Sequence, residues 1–395
     1  MPVEFLFFGL TLIGVAIFHR HALPIAACGL VLVVAYQWLF TQFPAGAGAS
    51  GLLTHLAHEW VLLTNLLLLL VGFALVSRHF EESGIPAALP HYLPDDWTGA
   101  FVLLLIVFVL SSFLDNIAGA LIGGATAHTL FRGRLTVGYI AAIVAAANAG
   151  GAGSVIGDTT TTMMWISGVA PSEVLHAYVA AVAAILVFGI SAARQQQRFA
   201  PITRDSASSV RIDWARVAVS AWVLSCAVIV NVFVNMKWPE LAGEFPFIGA
   251  AVALSLLVTV RIRQPDWKAL PGAFKGSMFL LCLVAVASLM PVASLPDPSW
   301  QSALALGFVS AFFDNIPLTA MALRQGGYDW GVLAYAVGFG GSMLWFGSSA
   351  GVAICGMYPE ARSTGKWLRE GWLIPVAYVA GYGLLLATLG WRPTP

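Results

Sequence analysis

Ser111-Ser112-Phe113-Leu114-Asp115-Asn116-Ile117 and Ser310-Ala311-Phe312-Phe313-Asp314-Asn315-Ile316 are nearly the same phrase, written twice with its first residues 199 positions apart. Both copies stand in otherwise apolar sequence. A carboxylate at bilayer depth costs at least a few kcal/mol, so intramembrane acids are rare and default to ion or proton pathways. Two acids in matching frames predict one site built by two halves.

The surrounding composition places the phrase in a membrane. Of the 395 residues, 59% are hydrophobic and only 10% charged, whereas soluble domains carry roughly a quarter charged residues. The formal net charge is zero, which points to no nucleic-acid partner and no polybasic tail. Met1-Pro2-Val3-Glu4-Phe5-Leu6 lacks the positive start of a cleaved signal peptide, so the first apolar stretch is expected to stay as a helix. Cys28, Cys226, Cys282 and Cys355 stand singly with no metal-ligand spacing and read as packing residues.

Apolar stretches long enough to cross a bilayer run over roughly 3–18, 22–40, 57–77, 135–165 and 174–193, then 214–235, 246–260, 276–295, 328–355 and 371–391. Residues 97–131, around Asp115, and 298–323, around Asp314, are of awkward length for whole crossings. Each is expected to be a helical hairpin that enters the membrane and turns back with Asp-Asn at its tip, since irregular backbone at depth is tolerated inside protein. The distribution of Lys and Arg supports this. If both segments return to the side they left, sixteen of the nineteen fall on one side, and only Lys237, Arg324 and Arg392 on the other. If both cross once, the split drops to thirteen against six. The positive-inside rule therefore favours an even number of passes through each segment and an external amino terminus. The count does not separate a re-entrant hairpin from two short full crossings, but arms of about fifteen residues are shorter than a normal span.

On that topology the first hairpin opens from the cytoplasm and the second from outside, so the halves are inverted repeats. The expected organisation is an all-α polytopic membrane protein with an N-terminal repeat over 1–193, a cytoplasmic linker over 194–213 and a C-terminal repeat over 214–395. Trp38, Trp60, Trp97, Trp214, Trp238, Trp267, Trp300, Trp330, Trp367 and Trp372 fall near span ends, where indoles favour the headgroup region.

A second motif is also paired. Asn148-Ala-Gly-Gly-Ala-Gly-Ser154-Val-Ile-Gly157-Asp158-Thr-Thr-Thr-Thr162 follows the first hairpin, and Gly338-Phe-Gly-Gly-Ser342-Met-Leu-Trp-Phe-Gly347-Ser348-Ser349-Ala-Gly351 follows the second. Aligned on Gly-Gly, Gly157 meets Gly347 and Asp158 meets Ser348. Glycine lowers helix stability by about 1 kcal/mol relative to alanine, so such clusters permit unwinding. Broken helices expose carbonyls suited to Na⁺ at one half-helix end and amides suited to anions at the other. Small residues also serve plain helix packing, the simpler reading for Gly123 and Gly124 alone. Packing by itself needs no Asp158 beside four threonines. Asp115 and Asp314 can equally cap helix starts, a role compatible with ion binding.

Asp314-Asn-Ile-Pro-Leu-Thr319, Asn148-Ala-Gly-Gly with Ile156-Gly-Asp-Thr-Thr-Thr161, and Gly340 to Val352 together resemble the signatures of NhaD-type sodium/proton antiporters. That family lies within the ion transporter superfamily that includes arsenite pumps and divalent-anion symporters. The resemblance runs from about residue 98 to 355. It implies inverted repeats, re-entrant hairpins, unwound helices, a homodimer and elevator-like movement in the cell inner (plasma) membrane. It also implies that Ser111, Asp115, Asn116, Asn148, Asp158, Thr160, Thr161, Ser310, Asp314, Asn315, Ser342, Ser348 and Ser349 carry a site for transported Na⁺ and H⁺, with no cofactor. The chain departs from the family at Ala118-Gly119-Ala120, where threonines are usual, and at Gly153 and Val155.

Antiport requires a carboxylate that holds a proton or a cation but not both. Desolvation raises a carboxyl pKa and a bound cation lowers it, so the two compete for the same oxygens. Asp158, which has no acidic counterpart in the other half, is the expected carrier, with Asp115 and Asp314 shaping the tips. Asn116, Asn315, Thr160, Thr161, Ser348 and Ser349 would supply the neutral oxygens that hard cations prefer.

A carboxylate or oxyanion transporter could use the same architecture. No Lys or Arg lies in the polar core of either hairpin or broken span, where an anion clamp would often place one. An intramembrane aspartyl protease also pairs two acids, yet Val155 stands where the first glycine of a Gly-x-Gly-Asp motif belongs. No enzymatic activity is expected. His55, His58, Glu59 and His79 read as interfacial residues, with pH sensing by the histidines as the alternative, and Asn65 as an inter-helix bond.

Overall fold

The computed structural model describes residues 2–18, 21–202, 211–238, 241 and 244–394. Arg20, Arg204 and the middle of the expected linker, 203–210, lie outside them. Nineteen α-helices and no β-strand occur among the described residues. They are α1 Val3–Ile17, α2 Ala22–Phe40, α3 Gly48–Glu81, α4 Ile85–Ala88, α5 Trp97–Ser111, α6 Asn116–Leu130, α7 Val137–Ala152, α8 Thr159–Ile166, α9 Pro171–Leu175 and α10 Ala177–Phe199. The second half contributes α11 Trp214–Lys237, α12 Phe247–Thr259, α13 Leu270–Ser288, α14 Trp300–Ser310, α15 Asn315–Gln325, α16 Trp330–Gly340, α17 Ser349–Met357, α18 Thr364–Glu370 and α19 Leu373–Leu389.

Five helices are long and apolar enough to cross a membrane, and six if the bent pair α18–α19 counts as one. The chain is therefore an all-helical polytopic membrane protein. At its centre lie α7 and α16, in which every residue is buried. Helices that are apolar all round belong inside a fold, and here small side chains let backbones meet. A Cβ on Gly150 would strike the carbonyl of Phe108, and one on Gly340 would strike the carbonyl of Gly307. Around this core pack α5, α10, α14 and α19, while α1–α3 and α11–α13 form a second bundle with their own apolar clusters.

The contacts of one half are answered in the other. The α5–α7 contact corresponds to α14–α16, α6–α17 to α15–α8, and α9–α16 to α18–α7. Polar contacts also sort the helix ends into two groups. At one end, Arg78 pairs with Glu81 at 2.6 Å, Arg216 with Glu82 at 2.8 Å and Arg263 with Asp213 at 2.8 Å. The Arg263 guanidinium holds the Asp213 carboxyl below the usual carboxylate range. Both ends of the α5–α6 pair lie here: Gln197 donates to the carbonyl of Asp95, and Arg134 to that of Phe199. At the other end, Arg324 pairs with Glu59 at 2.7 Å, Gln325 donates to the carbonyl of Pro296, and Asp329 accepts from the Arg392 amide. Both ends of α14–α15 lie there.

Several expectations need correction. The third span begins at Gly48 rather than 57 and runs 34 residues. The span expected over 276–295 occupies Leu270–Ser288 and stops short of Pro291. The Gln-rich start of the expected linker is the last part of α10. Buried Gln196 accepts from the amide and hydroxyl of Thr136 and donates to the Arg134 carbonyl, satisfying the free N-terminus of α7. Trp330 and Trp367 are buried within the protein, the latter donating to the Ser342 carbonyl at 3.2 Å. Of the cysteines, only Cys355 is buried, and Cys28 is exposed. His55 and His79 are buried and bond to Ser288 of α13 and Arg216 of α11. Asn65 does bond another helix, accepting from the Gly249 amide of α12 at 2.9 Å.

Candidate functional site

Each broken segment is held against a helix-pair tip by the same devices. Ser111 donates its hydroxyl to the carbonyl of Ala147 at 2.6 Å, and Ser310 donates to that of Val337 at 2.7 Å. Gly157 sits so close to the Ser111 carbonyl that it has no room for a Cβ, and Gly347 is equally tight against the carbonyl of Ala311. The helix α7 ends at Ala152 and α8 starts at Thr159, with Asp158 as its cap; α16 ends at Gly340 and α17 starts at Ser349, with Ser348 as its cap. Asp158 and Ser348 thus occupy equivalent places.

Asp158 is only 3% exposed. Its Oδ1 accepts from the Thr160 amide at 3.3 Å, and its Oδ2 from the side-chain amide of Asn315 at 3.2 Å. Beside it, fully buried Asn148 accepts from Asn116 at 3.1 Å and donates to the hydroxyls of Ser342 and Ser348, each at 3.0 Å. Each half therefore reaches into the other: Asn148 to the serines of the second, Asn315 to the aspartate of the first. Buried polar groups of this kind rigidify a site when satisfied.

The threonines divide by task. Thr161 donates to the carbonyls of Ser154 and Asp158, and Thr162 to those of Val155 and Asp158, so both staple the unwound turn. Thr162 was not singled out from sequence, nor was Ser112, which donates to the Gly150 carbonyl. The Thr160 hydroxyl, by contrast, is buried and has no hydrogen-bond partner. Buried polar groups without a fixed partner are rare in folded proteins, and this one lies two residues from the Asp158 carboxylate.

The two tip acids differ. Asp314 caps α15, accepting from the Ile316 amide at 3.1 Å, and also accepts from Ser349 at 2.9 Å. Asp115 precedes α6 without a side-chain capping bond. It opens instead onto a cavity of about 380 Å³ shared with Asp158, Thr159, Thr162 and Ser349. The cavity is walled by α3 and α13 and extends to Glu81 at the basic end. Asp314 lies on a separate apolar cavity of about 210 Å³ between Phe312, Phe313, Phe346 and Leu283. No cluster of three His, Cys, Asp or Glu suited to a metal occurs among the described residues.

A further cavity of about 520 Å³ opens at the opposite end, lined by His58, Glu59, Arg324 and Ser288 and reaching Met163. Only one turn of α8 divides the two spaces: Thr159 and Thr162 face the first, Met163 and Ile166 the second. Leu62 and Leu66 of α3, with Leu280 and Val284 of α13, complete the partition. The Glu59–Arg324 pair spans 265 residues, and nothing in their local sequence links them.

No protein-family model matches the chain. It is 26% identical to the Na⁺/H⁺ antiporter NhaD of Vibrio parahaemolyticus over 85% of this chain and 92% of that protein. It is 30% identical to sodium/proton antiporter 1 of Arabidopsis thaliana over 65% of this chain, and spans half of that relative's length. With sodium/proton antiporter 2 of the same plant, identity is 28% over 65% of this chain and 69% of the relative. The resemblance drawn from the motifs therefore holds: these relatives are antiporters by name.

Proposed function

We propose that this chain, a relative of NhaD-type sodium/proton antiporters, exchanges cytoplasmic Na⁺ or Li⁺ for external protons by alternating access. The observation that carries the reading is the buried Asp158 carboxylate, bound from the other half by Asn315 and bordering a cavity that reaches one end of the molecule. A proton or a cation on that carboxylate excludes the other, and release to opposite sides makes the exchange obligatory. The Thr160 hydroxyl, which has no fixed partner, and the Asp115 carboxylate, which borders the cavity, are the groups assigned in this reading to a cation arriving through it. Ser111, Ser310, Asn148 and Thr161 position the broken segments in this scheme, their donors being spent on fixed partners.

The reading includes inverted repeats with two re-entrant hairpins, supported by the reciprocal packing and by the placement of each helix pair's ends at opposite poles. It places the basic pole in the cytoplasm of the inner membrane, following the positive-inside rule, and the amino terminus outside. A homodimer with an elevator-like transport unit follows from the kinship alone. A carboxylate or oxyanion substrate is not favoured by the relatives' names.

Everted vesicles containing the protein, energised to carry a proton gradient, provide the test. Addition of Na⁺ or Li⁺ is expected to dissipate the gradient while K⁺ leaves it. A response to citrate, succinate or arsenite with Na⁺ uptake, and none to Na⁺ alone, would replace this reading with the anion transporter.

A further inference from the structure

The C-terminal half of α10 and the elbow between α18 and α19, bent by 57°, enclose a cleft of about 560 Å³ that takes no part in the proposed exchange. Arg194 and Arg198, one turn apart on α10, line it together with Arg369 of α18. Its single acid is already engaged: Glu370 accepts from the Gly138 amide at 3.1 Å and lies 3.6 Å from Arg369. Arg198 is exposed. Arg194 lies with its guanidinium 4.5 Å from the centre of the Trp97 ring, a stacking that occupies the face of the group and leaves its N–H edge available.

The other wall is apolar. Leu186 and Val187 of α10 and Trp372 at the elbow are exposed along the same cleft, in the direction of the membrane-spanning part of the helix. Cationic groups at one end, an exposed indole at the rim and an apolar groove beyond match one ligand in charge and in polarity gradient. We infer that this cleft binds an anionic phospholipid, its phosphodiester held by Arg194, Arg198 and Arg369 and an acyl chain lying along Leu186 and Val187. Arginine forks recognise phosphate oxygens bidentately, and basic clefts between transmembrane helices favour acidic headgroups. A free phosphate would use the same cations but gain nothing from the groove. The inference rests on the membrane architecture and is independent of which ion is exchanged.

Detergent-solubilised full-length protein titrated with phosphatidylglycerol or phosphatidylcholine, and read by native mass spectrometry and thermal unfolding, tests it. Phosphatidylglycerol is expected to bind and to raise the unfolding midpoint, as a ligand of the native state must, while phosphatidylcholine does neither. Arg198→Gln with Arg369→Gln, which spares the Trp97 stacking, is expected to weaken phosphatidylglycerol binding by about tenfold or more. Lys268→Gln with Lys275→Gln, at the same pole but outside the cleft, is expected to bind as wild type. If the arginine pair fails to fold, Arg198→Glu alone on its exposed helix face replaces it, with the same expected loss. Unchanged binding by the arginine variants, an equal loss in the lysine variant, or displacement of the lipid by inorganic phosphate at millimolar concentration would each overturn the proposal.

Discussion

Asn315 donates its side-chain amide to Oδ2 of Asp158 at 3.2 Å, joining residues 157 positions apart and belonging to different halves of the chain. The carboxylate is thus set in place by the first half and oriented by the second. Any movement that changes which cavity Asp158 faces must either carry both residues together or break this bond.

Asp158→Asn is expected to abolish Na⁺-dependent dissipation of a proton gradient in everted vesicles, at normal expression. An amide retains the shape but carries neither a charge for Na⁺ nor an exchangeable carboxyl proton. Wild-type exchange by that variant would remove Asp158 from the mechanism.

Asn315→Ala leaves the carboxylate and the Thr160 amide on its Oδ1 but removes the donor to Oδ2. Hydrogen bonds to charged groups contribute about 1.5–3 kcal/mol, so the half-maximal Na⁺ concentration is expected to rise roughly tenfold or more, with the fold intact. A half-maximal concentration equal to wild type would show that the contact does not orient the carrier.

The two tip acids should separate by readout. Asp115→Asn is expected to lower transport without changing thermal stability, because Asp115 makes no capping bond and faces the cavity. Asp314→Ala is expected to lower both, since loss of a capping side chain costs about 0.5–2 kcal/mol and Ser349 loses its partner. Equal unfolding midpoints for the two variants would contradict this assignment.

Gly157→Ala and Gly347→Ala each force a Cβ against the backbone of the facing tip, at Ser111 and Ala311. Both are expected to lower the unfolding temperature and to eliminate exchange. Gly356→Ala, where a Cβ meets nothing within 4 Å, serves as the neutral comparison. Normal stability in the first two would mean that the tips are not clamped on the broken segments.

The Glu59–Arg324 pair ties α3 to α15 across the mouth of the cavity that ends at Met163. Arg324→Gln is expected to speed modification of a cysteine placed at Met163 by a membrane-impermeant maleimide several-fold, and Glu59→Arg with Arg324→Glu to restore slow labelling. Labelling that ignores both changes would exclude the pair as a latch.

Much of this was legible in the chain. Charge-free stretches with Asp115 and Asp314 near their middles mark the turning points of two helix pairs, because few other positions can hide an acid among apolar residues. Gly-rich runs mark where α7 and α16 unwind, because glycine is the residue that lets a tip carbonyl approach. The Gln-rich stretch reads as a linker because polarity alone does not distinguish a solvated side chain from Gln196, which satisfies a helix terminus inside the fold. Trp367 carries the same ambiguity: an indole near a span end can equally bury itself where a carbonyl accepts its N–H, and Ser342 offers one.

By itself, then, the sequence determined the membrane class, the helix pairs, the broken spans and the equivalence of Gly157 with Gly347, all of which follow from local hydropathy and backbone permissiveness. Only the tertiary structure decided that Asn315 and Thr160 attend Asp158, that Asn148 bridges to Ser342 and Ser348, that Thr161 is a staple, and that Glu59 meets Arg324. These assignments depend on side chains more than a hundred residues apart, or on which of several adjacent hydroxyls turns inward. Such choices are made by packing geometry, to which residue type and local spacing are blind.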